Sequence, residues 1–175
     1  MRWNEIGDSL CPIARALSVV GDRWTLLILR ELSMGVHRFE EMQAQTGMSS
    51  HLLSTRLQRL SRAGILDWRI YSSRPTRHEY HATQKGRELD AVLLTLQIWG
   101  CRWGEYDAQE QPAVRVLSAS TGEEITTFWQ SPKGDAPFTY EMTQTVMSDA
   151  FKAEREARQA AFLLNRYASR VAQRL

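Results

Sequence analysis

Residues 47–64, GMSSHLLSTRLQRLSRAG, constrain the fold more than any other stretch of this 175-residue chain. Ser49 can accept a hydrogen bond from one of the orphan N–H groups that open a helix, and Gly64 suits the left-handed stop that closes one. Between these caps Leu53, Leu57 and Leu60 recur at helical spacing and define one buried side. The other side carries His51, Thr55, Gln58, Arg59 and Arg62, which donate and accept hydrogen bonds or bring positive charge. A solvent face is usually built from Glu and Lys. This one suits the base edges and phosphates of a nucleic acid.

Charge is distributed to match. The net charge is only +2, but residues 51–87 hold Arg56, Arg59, Arg62, Arg69, Arg74, Arg77, Lys85 and Arg87 against Asp67 and Glu79 alone. Such a local excess attracts a polyanion. The same composition excludes other classes. Two cysteines, Cys11 and Cys101, cannot make a disulfide framework, and no Cys/His spacing resembles a zinc site, so no metal and no cofactor is expected. Apolar runs such as Leu26–Leu29 fall far short of the roughly 20 residues of a membrane span, and the first residues lack the basic-then-apolar order expected of a signal peptide. A cytoplasmic protein without a membrane partner is expected. No nucleophile elbow, phosphate loop or metal spacing links the Ser, His, Asp and Glu residues, so an enzyme is not expected.

In chain order, Pro12 opens a first helix at a position where its missing N–H costs nothing, and Ile13, Leu17 and Val20 form its apolar stripe. Asp22 caps a second helix, in which Trp24, Leu27, Ile28 and Leu32 predict burial almost all round. A short helix over His37–Thr46 follows, and Gly47 turns it into the capped helix described above. Two helices joined by a glycine turn make a helix-turn-helix. After Gly64 the period becomes two: ILDWRIY and RHEYHAT, separated by SSRPT, predict a hairpin with Pro75 in its loop and Arg74 and Arg77 at its tip. This is a wing.

Thr83 then caps a predicted long helix, TQKGRELDAVLLTLQIWGCRW, whose Leu89, Val92, Leu96, Trp99 and Trp103 form a seam suited to dimerisation, broadened by Leu93 and Leu94. The aperiodic, acidic GEYDAQEQP marks a domain edge. Beyond it the patterns predict a hairpin turning at Thr121 and Gly122, a strand FTYEMTQ, and a helix over about 148–174 with Ala150, Ala153, Ala157, Ala160, Leu164, Tyr167 and Val171 at 3-4 spacing. The expected fold class is therefore mainly α with a small β-hairpin wing, plus a short α+β extension ending in a long helix. The expected domains are 1–104, for DNA binding and dimerisation, and 105–175, the extension.

Residues 11–103 resemble the HxlR-type family of bacterial winged helix-turn-helix transcription regulators. The resemblance is carried by CPIARALSVVGDRWTLLILREL, RFEEM, GMSSHLLSTRLQRLSRAGIL, YSSRPTRHEYHATQKGREL and WGCRW. It implies a homodimer on a near-palindromic operator in double-stranded DNA, with the first and last helices of the unit building the dimer. Two recognition helices then enter successive major grooves, about 34 Å apart. Ser50, His51, Ser54 and Thr55, near the start of the helix, are the candidates for base edges, and Gln58 joins them. Arg56, Arg59, Arg74 and Arg77 are the candidates for phosphates, although Arg56 lies nearer the buried face and can serve the fold instead. The competing reading is a protein–protein interaction module built on a winged scaffold.

Control has two readings. Cys11 stands at a helix start, where unsatisfied N–H groups make a thiol reactive, and in several similar regulators a cysteine at this position senses oxidants or electrophiles. It can equally be a small residue packed at the dimer seam, and Cys101 reads as packing. The second effector reading is a small aromatic or apolar ligand held by Trp99, Trp103, Phe128 and Trp129. Repression is the expected direction of control.

Overall fold

The computed structural model describes residues 3–104, 112–126 and 138–172. A 3-10 turn over Trp3–Asp8 precedes α1 (Pro12–Val20), α2 (Arg23–Ser33), α3 (Phe39–Thr46) and α4 (Ser50–Arg62). The hairpin β1 (Leu66–Ser73) and β2 (Thr76–Ala82) leads to α5 (Gln84–Arg87) and α6 (Asp90–Trp103). β3 (Val114–Ser118), β4 (Thr143–Met147) and α7 (Asp149–Ala172) complete the order. The chain forms two compact units, 1–86 and 87–175. Among the described residues no helix is long and apolar enough to cross a membrane.

The first unit is built where local signals agree with burial. Asp22 caps α2 by accepting from Trp24 N and Thr25 N, both at 3.1 Å, and from Thr25 Oγ1 at 2.7 Å. Ser49 Oγ accepts from Leu52 N at 3.2 Å and starts α4. Gly47 and Gly64, both at φ 69°, take left-handed turns that a side chain would resist. Ile28, Leu29, Leu32, Met42, Leu53, Leu57, Leu60, Ile65 and Leu66 form the core. Trp24 and Leu27 are only half-buried, contrary to the expected burial all round. The Trp24 ring instead lies under the Arg23 guanidinium, 4.8 Å away. The α1 stripe faces outward, with Ile13 and Leu17 exposed.

The hairpin is longer than the expected loop SSRPT allowed. Its ladder runs from Leu66↔Ala82 to Ser73↔Thr76, with an irregularity between Ile70 and Ser72, so that only Arg74 and Pro75 turn. The expected long helix is also divided. Thr83 Oγ1 does accept from Gly86 N at 3.2 Å, but α5 ends at Arg87 and α6 begins at Asp90. Gly86 explains the tight entry, because a Cβ there would lie 2.3 Å from the Ile65 carbonyl oxygen.

In the second unit Leu94 of α6 packs with Val116, Ile125 and Phe138, and Ala91, Ile98, Val114 and Tyr140 surround them. This cluster explains why the compact units divide at 86/87, whereas the sequence marks an edge near 104. β3 pairs antiparallel with β4 from Val114↔Met147 to Ser118↔Thr143. The expected hairpin at Thr121–Gly122 reduces to a single bridge, Leu117↔Glu124. FTYEMTQ is not one strand: Tyr140–Met142 is a 3-10 turn and β4 starts at Thr143, because Tyr140 is drawn inward. Its N–H donates to Asp90 Oδ2 at 3.0 Å and its hydroxyl to Gln97 Oε1 at 3.4 Å. Burial pushes the Tyr140 hydroxyl up to about 12 and the Asp90 carboxyl up to about 6, against the Tyr140 N–H bond that favours the carboxylate.

Two predictions follow from these bonds. Asp22→Ala removes the α2 cap and the partner of a half-buried Arg56 at once, and should lower unfolding stability by about 2 kcal/mol in urea titrations. Asp22→Asn keeps an acceptor for the cap and should lose less. Asp90 is protonated more readily folded than unfolded, so its contribution is full below about pH 4 and is lost as pH rises to about 6. The stability difference between wild type and Asp90→Asn should therefore shift against the wild type across that window, by up to about 3 kcal/mol. A difference independent of pH would show that Asp90 does not titrate there.

Candidate nucleic-acid interface

The outward face of α4 is set by its buried one. With Leu53, Leu57 and Leu60 fixed in the core, His51, Thr55, Gln58 and Arg62 fall one or two turns apart on the exposed side. Ser50, exposed at the first helical position, accepts from Gln43 Nε2 of α3 at 3.0 Å, which ties the two helices of the motif at their junction. Thr55 Oγ1 donates to the His51 carbonyl at 2.9 Å. Ser54 is half-buried.

Arg56 does not join this face. It is half-buried, and Nη1 donates to Asp22 Oδ2 at 3.2 Å, the carboxylate that also caps α2. Its place is between α2 and α4, as a clamp on the helix rather than a cation offered to solvent. Arg59 is exposed but also engaged, because one Nη donates to the Ser18 carbonyl near the end of α1. Both bonds run over long sequence separations; the place of Arg56 near the buried face is the one local sign of its role, and nothing local marks the bond of Arg59.

The hairpin stands beside α4 because the segment between α2 and α3 pairs with it. Tyr80 N donates to the His37 carbonyl at 2.8 Å, and Arg38 bridges to Glu79, with Nε donating to Oε1 at 3.1 Å. The Arg38 guanidinium also covers the Tyr71 ring at 4.7 Å, and the bond to Glu79 raises its already high pKa. His37 stacks on His81 with ring centroids 4.4 Å apart, and burial, then His37, lowers the His81 pKa. The tip arginines, Arg74 and Arg77, are exposed and form no ion pair among the described residues.

A groove separates α4 from the hairpin, lined by Ser54, Gln58 and Arg62 on one side and Trp68, His78 and Tyr80 on the other. Trp68 meets His78 edge-on at 4.7 Å and remains half-exposed. Sequence reasoning passed over Trp68 and His78. The signal was present: Trp68 alternates with Leu66 and Ile70 on one strand face, and only Leu66 is buried. Of the aromatic quartet considered for a ligand, Trp99 and Trp103 are exposed, while Phe128 and Trp129 lie outside the described residues. Among the described residues no cluster of His, Cys, Asp and Glu could hold a metal ion.

Known proteins resemble this chain in sequence and fold. A family model described as HxlR-like helix-turn-helix matches residues 19–108. An HTH-type transcriptional regulator of Mycobacterium tuberculosis (strain ATCC 25618 / H37Rv) is 39% identical over 125 residues, covering 65% of this chain and 79% of the relative. The crystal structure of PA1607, a proposed transcription factor, aligns with a TM-score of 0.62 at 30% identity over 82% of this chain and 98% of its own. That likeness extends past the family-matched residues into the second unit. The redox regulator HypR in its oxidised form aligns with a TM-score of 0.51 at 27% identity, over 55% of this chain and all of its own, 100%. These similarities are to regulators of transcription, which are not enzymes. With its winged helix-turn-helix and a match across more than half its length, this chain belongs to the HxlR-like helix-turn-helix family of DNA-binding transcription regulators.

Proposed function

We propose that this regulator acts as a homodimer in the cytoplasm and represses transcription by occupying a near-palindromic operator. The observation that carries this reading is the exposed row His51, Thr55, Gln58 and Arg62 on α4, flanked by a hairpin tip whose Arg74 and Arg77 have no ion-pair partner among the described residues. Ser50, His51, Ser54, Thr55 and Gln58 read base edges. Arg59, Arg74 and Arg77 hold phosphates, which supply affinity and register without sequence information. Arg56 positions α4 through Asp22. The dimer draws on apolar surface that a single chain leaves uncovered: Ile13 and Leu17 on α1, and Val92, Leu96, Trp99 and Trp103 on α6.

An oxidant is the favoured effector. Cys11 is exposed at the N-cap of α1 and its side chain makes no capping bond, so the thiol is accessible. The same helix is bonded to α4 through Ser18 and Arg59, which gives modification at its start a route to the reading helix. Likeness to a redox regulator supports this choice.

Selection of bound sequences from a random pool should return a two-fold symmetric site. Arg74→Ala should weaken binding to all sequences and lower the salt slope by roughly 0.9. Gln58→Ala should relax one operator position at a cost of about 1–3 kcal/mol while leaving nonspecific binding unchanged. Failure to bind even random DNA at low salt would favour a protein-interaction module. For the thiol, diamide should reduce operator affinity in the wild type and not in Cys11→Ser; unchanged affinity with Cys11 shown to be modified by mass spectrometry excludes the switch.

A further inference from the structure

α7 is a 24-residue helix in which none of the described side chains is buried. At about 1.5 Å per residue it is some 36 Å long. Its apolar residues Ala150, Ala153, Ala157, Ala160, Leu164, Tyr167 and Val171 alternate by three and four without a break, the heptad repeat of a coiled-coil seam. All seven are exposed, Leu164 at 70% and Tyr167 at 71%. A different row, Phe151, Arg155, Gln159 and Phe162, is the half-covered one. The seam is thus left without cover by its own chain among the described residues.

The order of sizes along the seam says what covers it. Every small residue lies in the first half and every large one in the second. Close packing needs large side chains opposite small ones. In a parallel pair each layer would set like on like, alanine against alanine and tyrosine against tyrosine. In an antiparallel pair of the same helix, Ala153 faces Val171, Ala157 faces Tyr167 and Ala160 faces Leu164, and two-fold symmetry repeats each match. Six of the seven seam residues are matched in this way, and Ala150 lies beyond them. Leu163, 52% exposed, flanks this seam beside the two-fold axis. Net charge follows this polarity: the first third of α7 carries Asp149, Glu154 and Glu156 against Lys152 and Arg155, and the last third carries Arg166 and Arg170 and no acid.

We infer that α7 pairs antiparallel with α7 of a second copy of this chain, in a two-fold seam running from residue 153 to residue 171 in each helix. The pairing goes beyond the DNA-reading dimer proposed above and does not require α1 or α6 to take part.

The test uses the full-length protein with Cys11→Ser and Cys101→Ser. Ala160→Cys and Leu164→Cys are introduced singly, with tags of different size, and oxidised alone and mixed. A covalent mixed dimer forming faster than either self-linked product is the expected result. Faster self-linking would mean a parallel pair, and no covalent product would mean no pairing; either overturns the inference. Ala157→Tyr, added to both proteins, sets tyrosine against tyrosine and should slow mixed linking about tenfold. Adding Tyr167→Ala as well exchanges the two sizes and should restore it. No rescue would show that size matching does not build the seam. Operator binding by the same variants is read separately: a cross-link with no DNA binding would leave the seam and remove the operator reading, and the reverse would remove the seam alone.

Discussion

The Asp22 carboxylate is the interaction on which the DNA-reading unit depends most. One side chain accepts from two backbone N–H groups and a hydroxyl at the start of α2, and from the Arg56 guanidinium of α4. Helix caps and ion pairs are each modest when exposed, but here they share one half-buried carboxylate, so the start of α2 and the rotation of α4 are set together. The rotation matters because it decides which residues of α4 face outward. With Arg56 held inward, the row at 51, 55, 58 and 62 is the one that points to solvent.

A second set of bonds places the wing. His37 and Arg38 act as a short edge to the hairpin, and Glu79, one of only two acids between residues 51 and 87, is occupied by Arg38. Its negative charge is thereby compensated close to the surface proposed to meet phosphate. The Arg38–Glu79 pair thus leaves the positive charge of the neighbouring arginines unopposed by Glu79. Arg74 and Arg77 at the tip remain available for that role.

What was legible in the sequence was local or periodic. Ser49, Gly64 and Asp22 act on neighbours within three residues, and the 3.6 and 2.0 periods of α4 and β1 follow from which face is buried. What was hidden was set at long range. Arg56 lies near the buried face and reads either as a phosphate contact or as a residue of the fold, and its partner Asp22, 34 positions earlier, is what decides between them. The tight entry to α5 comes from the close approach of Gly86 to Ile65, and the interruption of FTYEMTQ accompanies Tyr140 turning toward Asp90 and Gln97. Each is a tertiary contact that no local pattern specifies. The face of the site could be read, whereas the residue that holds it in place could not.

The helices carrying exposed apolar stripes connect the fold to its use. Isolated surface leucines need no explanation, but α6 exposes Val92, Leu96, Trp99 and Trp103 in one seam and α7 exposes another of heptad period. An operator with two half-sites about 34 Å apart rewards a protein that presents two reading helices at that separation. Each half-site then binds with the effective concentration of a linked partner rather than that of free protein. A weak seam is sufficient for such a device, because DNA itself favours the paired form by mass action. The segregation of small residues to the first half of α7 and large ones to the second sets the direction and register of that pairing. In this family member the second unit therefore has a physical reason to follow the DNA-reading one: it adds a self-complementary surface whose geometry is independent of the bases being read.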